Sequence, residues 1–80
     1  MDNEQRLINY CIQNHQYFKN TLLKPLKDDA GALLQDDNFN YEWIDRAKWI
    51  IVTNICVNLQ LSSDTALEFV QHLNIKEMLK

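Results

Sequence analysis

Residues 43–61 read WIDRAKWIIVTNICVNLQL and form the longest run of strongly apolar residues in the 80-residue chain. A buried strand of about 4–8 residues is too short for such a run, and neither Gly nor Pro interrupts it. The run therefore predicts one helix, around which the rest of the chain has to be arranged.

The predicted central helix is apolar around most of its circumference. At about 100° per residue, Glu42, Arg46 and Thr53 fall into one narrow polar stripe, and apolar residues cover well over half of the rest. An amphipathic surface helix has an apolar arc of only about 100° or somewhat more, so we expect this helix to be covered from more than one side. Trp49 falls beside the polar stripe, which is the wrong side for a simple core and a suitable side for a partner.

The composition predicts an all-α fold. The chain has one Gly and one Pro, far below the average usage of about 7% and 5%. Sheets rely on Gly and Pro in the turns between strands, so an all-β chain of this composition would lack the residues that form its turns. With 46% hydrophobic and 24% charged residues the chain is expected to fold. We predict a single all-helical domain over residues 1–80, a small bundle of three main helices plus a short helical segment.

The first helix is predicted at residues 3–23. Pro25 lacks an N–H and would clash with the carbonyl of Thr21, so a straight helix should stop or kink by about Lys24. Residues 24–40 are the least determined part, where Asp28 can cap a short helical turn and the Asp and Asn residues at 36–40 indicate a loop. The apolar stripe of the first helix, at spacings of three and four, consists of Leu7, Ile8, Cys11, Ile12, His15, Phe18 and Leu22.

The ends of the central helix carry local signals. Asn40 is a good N-cap, and Phe39 can pack on Ile44 as a hydrophobic staple. After the helix, Ser62 and Ser63 supply the cap of a further helix.

The further helix is expected to break at Asn74, because Asn tolerates the left-handed conformation that ends helices. A last turn then follows. The residues expected to be buried in this part of the chain are Ala66, Leu67, Phe69, Val70, Leu73, Ile75, Met78 and Leu79.

Two cysteines and two histidines raise the question of a zinc site. Cys11 and His15 lie one turn apart, but Cys56 and His72 fall on different predicted helices, and no C-x-x-C pair is present. A calcium-loop pattern that starts at Asp36 lacks both the Gly at its sixth position and the Glu at its twelfth. We therefore expect no metal ion and no cofactor.

The sequence carries no catalytic signature and no nucleic-acid signature. There is no G-x-S-x-G elbow and no glycine-rich phosphate loop, so we predict that the protein is not an enzyme. A formal charge of −3 and a pI near 5.1 argue against a nucleic-acid partner. The alternative is a DNA-binding, helix-turn-helix-like transcriptional regulator using residues 41–80, although the basic surface of a recognition helix is lacking.

The expected location is the cytoplasm. The first residues are polar and no run of about 18 apolar residues follows, so neither a signal peptide nor a membrane span is expected. The two cysteines do not form a disulfide framework, which is typical of a reducing compartment.

Aromatic residues off the main apolar faces indicate binding to another protein, because aromatics are enriched at interfaces. The acidic stretch at 28–45 indicates electrostatic steering toward a basic partner, or simply a solvated connection. We predict a small, non-catalytic regulator, inhibitor or immunity-type adaptor that acts by protein–protein binding, with a homodimer as one possible form. The predicted partner-binding residues are Trp49, Tyr10, Tyr17, Asp36, Asp37, Glu42 and Asp45.

Overall fold

A computed structural model describes residues 3–30 and 41–79 of the chain. All regular structure within those two ranges is helical, so the predicted all-α class is confirmed. The elements in chain order are α1 (Asn3–Tyr17), a π-helical turn (Phe18–Leu22), α2 (Lys24–Ala30), α3 (Tyr41–Leu59), α4 (Ser63–Val70) and α5 (Ile75–Met78).

Helix α3 is the centre of the bundle. The π-helical turn, α2, α4 and α5 all pack against it, which confirms that it is covered from more than one side. Its side chains Ala47, Ile51 and Ile55 are completely buried. The remaining buried residues are Leu7, Cys11, Phe18, Leu23, Leu26, Val52, Ala66, Val70, Ile75, Met78 and Leu79.

The predicted break before Lys24 is confirmed, but the chain before it is not one straight helix over residues 3–23. After Tyr17 the chain widens into the π-helical turn, closed by a 2.9 Å bond from the Leu23 N–H to the Phe18 carbonyl. Residues five apart point about 140° apart on an α-helix, whereas an i→i+5 turn brings them together. Phe18 and Leu23 are consequently both fully buried.

Helix α2 occupies the start of the segment that the sequence left undetermined. Pro25 lies in its first turn, where the missing N–H costs no hydrogen bond. The predicted capping role of Asp28 is wrong, because Asp28 lies inside α2 and its carboxylate pairs with Lys24 at 2.8 Å. The predicted cap and staple at Asn40 and Phe39 fall outside the described residues.

The junction of α3 and α4 is sharp. Helix α3 ends at Leu59, two residues before the predicted end, because Gln60 adopts a left-handed conformation with φ of 56°. The predicted cap is confirmed, since Ser62 Oγ accepts a hydrogen bond from the Thr65 N–H at 3.3 Å.

The predicted interruption near Asn74 is confirmed, but its physical reason is different. Asn74 has φ of −84°, so it is not left-handed. Its Oδ1 instead accepts a hydrogen bond from the Glu77 N–H at 3.2 Å and caps α5. As predicted, Ile75, Met78 and Leu79 point into the core.

Candidate functional site

The first candidate surface is a shallow groove between the π-helical turn and α3, which we call the Trp49 face. Trp49 is 45% exposed and Val57 is 72% exposed, a large apolar area for so small a domain. None of the residues that line this face is charged. They are Leu22, Trp49, Ile50, Thr53, Asn54, Val57 and Asn58.

The polar side chains of the Trp49 face already have hydrogen-bond partners within the chain. Thr53 Oγ1 donates to the Trp49 carbonyl at 2.9 Å, and Asn58 Nδ2 donates to the Asn54 carbonyl at 2.8 Å. The Asn54 side chain accepts a hydrogen bond from the Tyr10 hydroxyl. Burying a polar group is costly mainly when its hydrogen bond is lost, so covering these three hydrogen bonds costs a partner little.

Tyr10, which the sequence assigned to partner binding, connects α1 to α3. Its ring packs 5.9 Å from that of Phe18, and its hydroxyl reaches Asn54. Burial, and to a lesser extent the neighbouring Cys11 and Tyr17, raises the pKa of Tyr10. Tyr17 is 46% exposed and Trp49 similarly so. The structure thus gives Tyr10 a role between helices and leaves the other two aromatics at the surface.

The acidic residues predicted for partner binding are paired where the structure describes them. Glu42 forms an ion pair with Arg46 at 2.7 Å, and Asp45 forms one with Lys48 at 3.1 Å. Asp36 and Asp37 lie outside the described residues. Because each pair joins residues of one helix and both carboxylates are exposed, the pairs neutralise charge along α3 more than they stabilise the fold.

The second candidate surface, which the sequence did not predict, is a groove between α1 and α4. Its apolar half is formed by Ile8, Cys11, Ile12 and His15 of α1 together with Phe69 and Leu73. Ile12 was expected in the core but is 71% exposed. Phe69 also lines the neighbouring polar half, which includes Asn3, Glu4, Leu7, Thr65, Glu68 and His72. We call the two halves together the α1–α4 groove.

The exposure of Ile12 follows from how α1 is rotated. Arg6 Nη2 donates to the Leu59 carbonyl at 3.2 Å, and Tyr10 bonds to Asn54, so both contacts turn this side of α1 toward α3. Leu7 and Cys11 enter the core with that rotation, whereas Ile12 is carried away from it. The one signal in the sequence is the width of the apolar stripe, which exceeds what one neighbouring helix covers.

The two thiols are unpaired and differ in exposure. Cys11 is buried, and burial raises the pKa of its thiol to about 11, whereas Cys56 is half-buried. No group of three metal-ligating side chains is found among residues 3–30 and 41–79. Within the same ranges, no helix is both long enough and apolar enough to cross a bilayer.

Comparisons of this chain with protein-family models, with curated proteins and with solved structures found no match. The surfaces of the domain itself are therefore the basis for inferring its function.

Proposed function

We propose that the protein is a non-catalytic, cytoplasmic protein-binding domain that works as a homodimer through the Trp49 face. The observation that carries this proposal is the combination of exposed Trp49 and Val57 with lining residues that carry no charge. Lys48 Nζ lies 6.0 Å from the centroid of the Trp49 ring, and its charge is paired with Asp45. Lining residues without charge can meet their own copy without like-charge repulsion. Tryptophan is also among the residues that contribute most to binding energy at interfaces.

The spacing of the face suits a two-fold dimer. Trp49, Thr53 and Val57 follow one another at intervals of four residues along α3. If two α3 helices pair antiparallel about an axis at Thr53, Trp49 of each copy lies against Val57 of the other. A two-fold interface requires this kind of self-complementarity.

The DNA-binding alternative stays a prediction with less support. The element after the α4 turn is α5, which has four residues, and Ile75 and Met78 of that helix are buried. A recognition helix must instead direct several side chains toward base edges. Two free thiols and a net charge of −3 fit a cytoplasmic protein-binding domain better.

Sedimentation velocity of the full chain, from about 1 µM to about 1 mM, tests the homodimer across the range of weak to moderate association. We expect a concentration-dependent dimer. Trp49→Ala and Val57→Ser should each raise its dissociation constant at least about tenfold, because Trp49 of each copy packs against Val57 of the other in the proposed dimer. Circular dichroism should show unchanged helical content in both variants.

Ile12→Ser is the matched control, since Ile12 is as exposed as Val57 but lies in the α1–α4 groove. It should leave the dimer intact. A wild-type chain that remains a monomer throughout the concentration range contradicts the proposal. So does a dimer that Ile12→Ser dissociates and Val57→Ser does not.

A further inference from the structure

We propose that the α1–α4 groove binds one amphipathic helix of a different protein, whose apolar face is followed by Lys or Arg residues at one end. This surface shares no lining residue with the Trp49 face. The inference therefore does not depend on the homodimer.

The apolar half of the groove supplies the seat for the partner's apolar side chains. Ile12 projects into solvent from α1, and Phe69 and Leu73 form the opposite wall. Amphipathic helices bind such grooves through apolar residues at positions i, i+3 or i+4, and i+7. From Ile8 to His15 the apolar half follows α1 for about 10 Å, which matches the distance between positions i and i+7 of a partner helix.

The polar half identifies the charge of the partner. Glu4 and Glu68 line it from opposite helices, and the whole chain carries a net charge of −3. The exposed Glu68 carboxylate forms no ion pair with any residue in 3–30 or 41–79. Opposite charge on a partner sets its orientation and speeds its association.

The two halves meet at Phe69, which lines both. A helix seated over Phe69 would thus bury apolar side chains on one side and bring a basic side chain to the Glu68 carboxylate on the other. The arrangement of the two halves along the groove sets the sequence pattern of the partner. Its apolar residues occupy positions i, i+3 or i+4, and i+7, and Lys or Arg follows beyond only one end of that stripe.

Selection from a displayed library of helical peptides of about 16 residues, roughly four turns, tests the inference on the full chain. We expect enrichment of peptides with the apolar stripe and Lys or Arg at one end. Backbone amide shifts of the protein, recorded with an enriched peptide, should change along α1 from Glu4 to His15 and along α4. The same peptide with its basic residues replaced by Glu should bind at least about tenfold more weakly.

Three variants of exposed residues separate this groove from other sites. Ile12→Ser and Glu68→Lys should each lower the affinity for the enriched peptide at least about tenfold. The Glu68→Lys variant should also bind the Glu-substituted peptide more tightly than wild type does. Val57→Ser should leave peptide binding unchanged whether or not it disrupts the homodimer. Three results would each overturn the inference. The first is a selection that yields no such pattern, and the second is peptides that bind the Ile12→Ser and Glu68→Lys variants as tightly as wild type. The third is amide shift changes confined to the Trp49 face.

Discussion

Cys11 and Cys56 differ in how well the fold shields each thiol from solvent. The Cys11 side chain is buried, and burial raises the pKa of its thiol to about 11. Only the thiolate attacks disulfide reagents, so at pH 8 only about one Cys11 in a thousand is reactive. We expect an aromatic disulfide reagent at pH 8 to modify one thiol per native chain rapidly and the other slowly. The slow rate should rise about tenfold per pH unit up to about pH 11.

The assignment is checked with single-thiol variants. Cys56→Ser should remove the fast phase and Cys11→Ala the slow one, and a fast phase that survives Cys56→Ser contradicts the prediction.

The pKa of Cys11 in the fold is higher than its ordinary value of 9.0, so the neutral thiol stabilises the fold below about pH 9. This stability is lost as pH rises toward 11. The raised pKa of Tyr10 acts in the same direction. The urea concentration at the unfolding midpoint should therefore decrease as the pH rises above about 9.

Single residues also show what the sequence could reveal about the candidate sites. Trp49 was placed correctly at the surface, because its angle relative to the polar stripe of α3 depends on that helix alone. Val57 is one of the apolar residues that cover most of the circumference of α3, yet it is 72% exposed. Which flank of an apolar helix is covered depends on the neighbours that pack on it, and local periodicity does not encode them.

At the scale of an element, the end of α3 depends on a strained residue. Gln60 has φ of 56°, a conformation that glycine adopts at little cost and that other residues adopt at roughly 1 kcal/mol. Gln60→Gly should therefore increase the free energy of unfolding by about 0.5–1 kcal/mol, as measured by urea denaturation.

Gln71 provides the matched control for that substitution. It follows α4 with φ of −60° and ψ of −21°, which suits any residue, so Gly there gains nothing and adds entropy to the unfolded chain. Gln71→Gly should destabilise the protein by about 0.5–1 kcal/mol. Equal changes at both positions would show that backbone strain at Gln60 does not limit stability.

Element boundaries could be read from the sequence where a side chain makes the signal itself. Ser62 is such a case, because its hydroxyl caps α4. The end of α3 at Gln60 carries no such signal, since glycine is the usual residue at a left-handed position. The π-helical turn has no local sequence signal either. It is favoured because it places Phe18 and Leu23 in a core formed mainly by other elements.

At the scale of the whole molecule, the all-α class could be predicted and the rotation of α1 could not. The class follows from helical periodicity and scarce Gly and Pro, which are properties of the sequence alone. The rotation is set by Tyr10–Asn54 and Arg6–Leu59, contacts between residues 44 and 53 positions apart. The α1–α4 groove exists because of that rotation, so the width of the apolar stripe on α1 indicates surplus apolar surface but does not locate the groove.

From the same two contacts we expect that α1 and α3 unfold together. The Arg6 guanidinium donates to the Leu59 carbonyl at the C-terminal end of α3, where the helix dipole also favours a positive charge. Arg6→Ala should lower the free energy of unfolding by about 1–2 kcal/mol, since a partly buried carbonyl loses a charged donor. If the described helices form one cooperative unit, amide hydrogen exchange should accelerate about tenfold at Ile51 and Ile55 of α3, as much as at Cys11 of α1.

Lys24→Ala supplies the comparison, because it also removes a basic side chain but breaks only an exposed ion pair with Asp28. Such a pair between residues four apart on a helix contributes about 0.2–0.5 kcal/mol, so exchange should change less than about threefold. Acceleration confined to α1 in Arg6→Ala would mean that α1 opens while α3 to α5 stay folded. The α1–α4 groove would then be lost in that open form, whereas the α3 side of the Trp49 face would persist.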